Sequence, residues 1–232
     1  MKLGGLEQMR HDKMTGMKKY FRKIVRRVIW LALQQEKQLK PENLLARYRS
    51  GYSLMTGRLG IIKWLDPDQR AIMPLDDRFL IGKHLAKKIR SNYFEVSFDR
   101  SFRQVVEGCA ELHPRRKWTW ISPEVIDAMT SLHQRGYAHS VEVWRNRELV
   151  GGAYGIAIGG YFSGESMFAR EHYANKIAIV TLVHNLRKCG FSLLDSLELG
   201  STAREFGAYE IPRDEYKVLL ANALSQDVKF AC

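Results

Sequence analysis

Hydrophobic and polar positions change their period along the chain, and the change separates predicted strands from predicted helices. Residues 140–144 alternate between polar and apolar, and turns at residues 145–147 and 159–160 separate them from two further predicted strands at residues 148–158 and 161–168. Alternation of this kind is typical of strands joined by tight turns. Residues 175–188 instead carry an apolar stripe at helical spacing that ends before Gly190. The pattern predicts three antiparallel strands, a helix, and a further strand at residues 191–197.

The elements predicted on either side of this region are shorter. Pro41 opens a predicted helix at residues 40–48, and Ser122 and Pro123 are a suitable N-cap and first residue for another. Glycines at positions 51, 57 and 60 indicate a loop. The remaining predicted elements are a strand at 71–75, a helix at 79–89, a strand at 93–98, helices at 101–110 and 201–206, and a last strand ending near residue 211.

The order of these elements indicates an α/β (α+β) protein. Three meandering strands, a helix and another strand form the core order of the acetyltransferase-like fold, which we place in residues 99–232. A small N-terminal α/β domain is expected at residues 39–98, preceded by an extension at residues 1–38. An acyl-CoA enzyme of this fold needs a glycine-rich loop before the helix to bind pyrophosphate. Residues 168–175 contain no glycine, so the sequence disfavours acyl-CoA.

Composition adds a polyanionic partner to this picture. Apolar residues make up 45% and charged residues 27% of the 232 residues, a normal balance for a globular protein. The net charge of +12 favours nucleic acid or an anionic membrane surface as partner. Three widely spaced cysteines and the lack of a secretory cleavage motif indicate a reducing compartment, so a cytoplasmic location is expected.

The positive charge is concentrated in the N-terminal extension. Residues 1–40 hold eleven of the 37 Lys and Arg residues but only three of the 25 acidic ones. An apolar stripe at helical spacing runs through residues 20–29, and the opposite face is basic, with Lys18, Lys19, Arg22, Lys23, Arg26 and Arg27. Three interpretations stay open: an arm that binds tRNA phosphates, a helix lying on anionic lipid, and a docked helix whose basic face is only solvated.

Several motifs resemble the leucyl/phenylalanyl-tRNA–protein transferase family. The match runs from about residue 39 to residue 224. Its motifs are residues 44–52, 74–77, 120–124 (Trp-Ile-Ser-Pro-Glu), 132–144, 151–155 (Gly-Gly-Ala-Tyr-Gly), 164–168 (Gly-Glu-Ser-Met-Phe) and 207–212 (Gly-Ala-Tyr-Glu-Ile-Pro).

The resemblance implies a reaction. The aminoacyl group of Leu- or Phe-tRNA would move to the N-terminal amine of a protein by aminolysis of the tRNA ester. Aminoacyl-tRNA and a protein or peptide with a basic N-terminal residue are the implied partners. A monomer is expected, with no metal, no cofactor and no membrane contact.

The resemblance also assigns roles to residues. Trp120 and Tyr48 are candidates to stack on the terminal adenosine of tRNA. Glu165 and Asp195 are the candidate catalytic acids, with orientation and electrostatics as the role of Asp195. The apolar pocket for the donated amino acid would be lined by Ala153, Phe162, Met167, Ile179, Leu182 and Leu194.

The sequence departs from the family at the strand that carries Asp195. Leu197 stands at a family glutamine, Gly200 at an asparagine and Thr202 at a common histidine. Three interpretations remain open. The chain is a transferase of the same type, with a changed amine acceptor or with proton transfer by the tRNA. Alternatively, it is a diverged non-catalytic paralogue that binds aminoacyl-tRNA or another RNA, or a basic interaction protein that kept only the fold.

Overall fold

The structure is a computed structural model that describes residues 25, 28, 34–57, 61–113 and 116–231. Residues 34–38 are helical. The numbered helices are α1 (Pro41–Arg49), α2 (Lys83–Arg90), α3 (Phe102–Ala110), α4 (Pro123–Gln134), α5 (Ala174–Lys188), α6 (Ser201–Glu205) and α7 (Arg213–Leu224). The strands are β1 (Ser53–Thr56), β2 (Ile62–Leu65), β3 (Gln69–Met73), β4 (Glu95–Phe98), β5 (Ala138–Arg145), β6 (Glu148–Ile158), β7 (Tyr161–Ala169), β8 (Leu193–Leu197) and β9 (Tyr209–Pro212).

One mixed sheet organises the fold. Its strand order is β4-β5-β6-β7-β8-β3-β9, while β1 and β2 form a separate antiparallel hairpin. β5, β6 and β7 are an antiparallel meander, and α5 then crosses over so that β8 runs parallel to β7. The predicted α/β class and the predicted order of three strands, helix and strand are therefore confirmed.

Helices cover both faces of the sheet, and β6 lies between the two cores. Tyr154 and Ile156 of β6 belong to a buried cluster with residues of α3 and α4. Ala153 and Ala157 belong to a second cluster with residues of α5. Because side chains of a strand point alternately to opposite faces, one strand supplies both cores.

Helix starts follow the sequence signals. Pro41 and Pro123 occupy the first turns of α1 and α4, where a missing backbone N–H costs no helical hydrogen bond. The Ser122 hydroxyl accepts a hydrogen bond from the backbone N–H of Val125 at 3.4 Å, as expected for an N-cap. Both predicted starts are confirmed.

Two predictions for the N-terminal half are wrong. The segment predicted as a glycine-punctuated loop contains the β1–β2 hairpin, whose last pair is Thr56 with Ile62. The helix predicted from residue 79 begins only at Lys83, because Gly82 is extended and the N–H of Leu80 donates instead to the Phe206 carbonyl at 3.1 Å. A long-range hydrogen bond replaces the helical one there.

The two predicted domains share the large sheet. β3 and β4 come from residues 39–98, and they pair with β8, β9 and β5 from residues 99–232. The division at residue 98 stays a prediction. The six basic residues predicted to bind tRNA phosphates lie outside the described part of the chain. Within that part, no helix is both long and apolar enough to cross a membrane.

Gly155 allows close approach of strands at a bulge between β6 and β7. A methyl group at this position would lie 2.2 Å from the Ser163 carbonyl oxygen and 2.3 Å from a ring carbon of Phe162. We expect Gly155→Ala to lower the free energy of unfolding by about 1–3 kcal/mol, as overpacking does. Urea denaturation measures the change. Gly82→Ala is the control, because its added methyl meets nothing within 4 Å. Equal midpoints for the two variants would contradict this account.

Candidate active site

A cleft lies at the middle of the sheet, where β7 and β8 stop pairing and separate. The two strands pair only from Tyr161 with Leu193 to Ser163 with Asp195. Beyond that point lies a cleft of about 320 Å³. A smaller cavity of about 130 Å³ adjoins it and shares its lining at Gly164, Glu165, Ser196 and Glu198. The cleft therefore lies at the end of the only parallel pairing in the large sheet, within the described residues.

One end of the cleft is apolar. Five of the six residues predicted for the amino-acid pocket line it together: Ala153, Met167, Ile179, Leu182 and Leu194. Met73 of β3 lines it as well, and the sequence reasoning missed it.

Phe162, the sixth predicted residue, does not line this cleft. It is completely buried and stacks on Phe230, with ring centroids 5.7 Å apart, beside Phe191. The rings of Phe191, before β8, and of Phe230, in the C-terminal segment, pack against Phe162. It contributes to the core under the sheet instead.

Asp195 is held by a buried ion pair with Arg70 on the neighbouring strand β3. Both side chains are 1% exposed, and the shortest contact, from Nη2 to Oδ2, is 2.5 Å. The Arg70 Nε also donates to Oδ1 at 2.9 Å. The Arg70 Nη2 also donates to the Ser53 hydroxyl at 2.6 Å, and Nη1 donates to the Gly51 carbonyl at 3.1 Å. A buried guanidinium needs this complete set of acceptors, since unpaired charge is costly away from water.

The other hydrogen bonds to Asp195 come from two tyrosines and a backbone group. The hydroxyls of Tyr216 and Tyr161 donate to Oδ2 at 2.9 and 3.1 Å. The Leu197 N–H donates to Oδ1 at 2.8 Å. Arg70 also lies over the Tyr216 ring, 4.5 Å from its centroid. With its carboxylate fully engaged, Asp195 can position neighbouring groups but is not placed to take a proton from a substrate.

Leu197 has an uncommon backbone conformation that the Asp195 carboxylate helps to hold. Its backbone φ angle is +60°, a value that residues other than glycine rarely adopt. The Glu198 N–H donates to the Ser196 carbonyl at 2.7 Å, so the chain makes a γ-turn centred on Leu197. This turn ends β8 and directs the chain along the edge of the cleft.

Glu165 is the carboxylate whose environment suits proton transfer. It is partly buried, and its Oε1 accepts a hydrogen bond from the Ser163 hydroxyl at 2.8 Å. Burial raises the pKa of Glu165 to about 7, and the charge of Asp195 adds to that rise, while the Ser163 hydrogen bond opposes it. A carboxyl group with a pKa near 7 can accept and release a proton at neutral pH.

Two buried tyrosine hydroxyls lie near this carboxylate. The Tyr48 hydroxyl interacts with Glu165 itself. The Tyr154 hydroxyl has no hydrogen-bond partner among the described residues, and Tyr154 lines the cleft. Burial raises the pKa of both well above the usual tyrosine value, and the charge of Glu165 adds to the shift. Unsatisfied buried hydroxyls are uncommon and often mark places where a ligand binds.

The two aromatic residues predicted to stack on adenosine differ in exposure. Tyr48 is 0% exposed and packs edge-on against Trp64, so no face of its ring is open to a base. That prediction is corrected by the burial of Tyr48 in the core. Trp120 is partly exposed and lines the smaller cavity beside Glu165, and its stacking on adenosine stays a prediction.

Three further polar residues, Lys176, His139 and His184, lie outside the lining of the cleft. Lys176, at the start of α5, forms an ion pair with Glu205 of α6. His139 contacts Asp99 at 2.7 Å, and His184 is exposed on α5. Neither histidine lines the cleft. The described residues contain no group of three or more His, Cys, Asp or Glu residues that could hold a metal ion.

Sequence reasoning missed Arg70, Tyr154 and Glu198. One signal existed for Arg70, since this charged residue directly precedes the apolar strand predicted at residues 71–75. Its partner is 125 positions away in the chain, so only the folded sheet shows the pair.

Comparisons with known proteins point to one family. A family model described as leucyl/phenylalanyl-tRNA protein transferase matches residues 72–221. A relative from Herpetosiphon aurantiacus, named leucyl/phenylalanyl-tRNA–protein transferase, is 46% identical over 194 residues, covering 84% of this chain and 99% of that relative. A relative of the same name from Rhodopseudomonas palustris is 43% identical over 195 residues, covering 83% and 84%. Among solved structures, a ribosomal-protein-alanine N-acetyltransferase from Brucella melitensis matches with a TM-score of 0.35 and 14% identity, covering 48% of this chain and 86% of that one.

Removal of the Asp195 charge tests the importance of the buried ion pair. We expect Asp195→Asn to lower the free energy of unfolding by about 3–5 kcal/mol, because it leaves the Arg70 guanidinium buried without a counter-ion. Chemical denaturation gives the value. Asp127→Asn is the matched control: its ion pair with Arg103 is exposed, and a loss of about 0–1 kcal/mol is expected. A loss of similar size in both variants would refute the assignment.

Proposed function

The chain belongs to the leucyl/phenylalanyl-tRNA–protein transferase family, and from this premise we propose that it moves leucine or phenylalanine from aminoacyl-tRNA to the N-terminal amine of a protein. It is an aminoacyl-tRNA–protein transferase, and therefore an enzyme. The observation that carries the specific mechanism is the cleft itself. An apolar recess lies next to Glu165, whose pKa is shifted to about 7.

The reaction is aminolysis of an ester. The nitrogen of the acceptor amine attacks the aminoacyl carbonyl, a C–N bond forms, and the ester C–O bond to the ribose breaks. The amine loses a proton, and the departing ribose oxygen gains one. We assign Glu165 the role of taking the proton from the amine, because its pKa matches the working pH of such a base.

Asp195 acts as a positioning residue in this proposal. Its carboxylate binds Arg70 and accepts the N–H of Leu197, so it fixes the end of β8 relative to β3. The side of the cleft opposite Glu165 is thereby held in place. Positioning of this kind can supply a large part of the rate of an amine attack on an activated ester.

The apolar recess would hold the side chain of the donated amino acid. Its five lining residues from the predicted set present carbon atoms from β6, β7, α5 and β8. Burying a leucine or phenylalanine side chain there is favourable by about 1.5–3 kcal/mol. Ala153 stands where the family can place methionine, which leaves more room beside β6.

The remaining parts of the chain supply the tRNA contacts in the proposal. Trp120 stacks on the terminal adenosine, and the basic residues at positions 18–27 bind phosphates. The acceptor is a protein or peptide with a basic N-terminal residue. A monomeric state and a cytoplasmic location stay predictions.

Transfer of labelled leucine from Leu-tRNA to a peptide beginning with Lys or Arg tests the function, with Phe-tRNA in a parallel reaction. Transfer would show that Leu197 and Gly200 are tolerated at the family's polar positions. No transfer with tight, salt-dependent binding of aminoacyl-tRNA would indicate a changed acceptor or a non-catalytic RNA binder. If the chain neither transfers leucine nor binds aminoacyl-tRNA, the whole proposal is contradicted.

The pH profile tests the role of Glu165. The base must be deprotonated, so the transfer rate should fall as the pH drops below about 7, following the pKa of Glu165. Glu165→Gln should lower the rate by about 10²–10⁴-fold and remove that part of the profile. The ionisation of the acceptor amine should remain visible near pH 8. Glu210→Gln, an exposed position outside the cleft lining, is the control. An unchanged profile in Glu165→Gln would exclude Glu165 as the base.

The size of the recess determines which amino acid is donated. Ala153→Met should fill the space beside β6 and reduce transfer of phenylalanine about tenfold more than transfer of leucine, a typical discrimination by pocket volume. The ratio of kcat/KM for Phe-tRNA and Leu-tRNA measures it. Phe162→Leu is the control, because Phe162 lies outside the lining and should change stability without changing the ratio. A constant ratio in Ala153→Met would place the side chain elsewhere.

A further inference from the structure

The cleft carries negative charge although the whole chain is strongly basic. The net charge of the chain is +12. Within the described residues, the lining of the two adjoining cavities includes three carboxylates and no Lys, Arg or His residue. The carboxylates belong to Asp195, Glu165 and Glu198. Arg70 neutralises Asp195, so Glu165 and Glu198 are the carboxylates that favour a cationic group inside the cleft.

The three carboxylates are not equally available to such a group. Asp195 is 1% exposed and is fully engaged by Arg70. Glu165 is partly buried and bonded to Ser163. Glu198 is exposed, and its carboxylate forms no hydrogen bond or ion pair with any other residue that the structure describes. Glu198 is therefore the carboxylate that is free to pair with a cation from outside.

Glu198 is also held at a defined place. It follows the γ-turn at Leu197, and its own carbonyl accepts the Gly200 N–H at 3.0 Å. It lines both the larger and the smaller cavity, as Glu165 does. A ligand with two cationic or amine groups can thus meet both carboxylates at the junction.

A second observation indicates that this cleft binds a polar ligand. Tyr154 lines the larger cavity, and its buried hydroxyl has no partner among the described residues. Tyr154 as a whole is 1% exposed. A hydroxyl left unsatisfied in this way costs free energy that a ligand atom would recover.

We propose that Glu198 is the residue that selects the acceptor, by pairing with the cationic side chain of its N-terminal residue while the α-amine lies next to Glu165. This inference rests on the proposed function. It assigns a binding partner to an exposed, unpaired carboxylate on the last residue of the turn that ends β8. Rim charges of this kind affect selectivity and salt dependence more than they affect the chemical step.

The test compares three acceptor peptides that differ only in their first residue, which is Lys, Gln or Glu. Kinetics of leucine transfer are measured for the full chain and for Glu198→Gln, Glu198→Lys and the control Glu148→Gln. Glu148 is exposed on β6 and lies outside the lining of both cavities. Binding of the fluorescein-labelled Lys peptide, without tRNA, is followed by anisotropy at low and high salt.

Glu198→Gln should raise KM for the Lys peptide about threefold to fivefold at low salt, the range of an exposed ion pair, with kcat nearly unchanged. KM for the Gln peptide should stay constant, and the difference should shrink at high salt. Glu198→Lys should reverse the preference toward the Glu peptide. Glu148→Gln should behave as the unmodified chain does.

Equal effects of Glu198→Gln on the Lys and Gln peptides, or no effect on either, would overturn the inference. The inference would also be overturned if the Glu198→Lys variant still preferred the Lys peptide. If no variant transfers leucine, the proposed function fails. Weaker binding of the Lys peptide to Glu198→Gln would still support the role of Glu198, and unchanged binding would overturn it.

Discussion

The buried pair of Arg70 and Asp195 is the interaction on which the arrangement of the site depends. A guanidinium and a carboxylate that are both 1% exposed are stable only when each polar atom has a partner. Those partners come from separate parts of the chain, so satisfying the pair brings those parts together. The contributing elements are the segment before β1, β1 itself, β3, β7, β8 and α7, through Gly51, Ser53, Arg70, Tyr161, Asp195 and Tyr216.

The pair also explains why Glu165, and not Asp195, has the properties of a base. Arg70 is used entirely by Asp195, Ser53 and Gly51, so it makes no hydrogen bond to Glu165. Glu165 is left with the hydroxyls of Ser163 and Tyr48 as neighbours, and no described Lys or Arg forms an ion pair with it. Desolvation therefore dominates its ionisation and raises its pKa to about 7. Two acidic residues from neighbouring strands acquire different chemistry because only one of them has a buried cation.

Periodicity predicted most of the fold because the central elements bury whole faces. β6 and α5 have patterns long enough to be unambiguous, and their observed bounds are those expected or differ by one residue. The β1–β2 hairpin was missed because the glycines at positions 51, 57 and 60 favour a loop over its two four-residue strands. Helix α7 was not among the predicted elements, although Tyr216 on this helix completes the Asp195 site. In the cleft, the predicted apolar lining followed from the resemblance to the family and not from periodicity. The positive φ of Leu197 depends on a carboxylate hydrogen bond that no local pattern shows.

The division of charge in the molecule fits the energetics of the proposed reaction. Binding of a polyanion needs long-range positive potential, and the chain has a surplus of twelve positive charges to provide it. A lysine or arginine inside the cleft would stabilise the ionised form of Glu165 and lower its pKa. An α-amine has an ordinary pKa of about 7.7–8.0, so moving its proton to a carboxylate of pKa about 7 costs about 1 kcal/mol. The same transfer to an ordinary glutamate of pKa about 4.3 would cost about 5 kcal/mol. The absence of Lys and Arg side chains from the described lining of the cleft therefore lowers the cost of producing the neutral amine that attacks the ester.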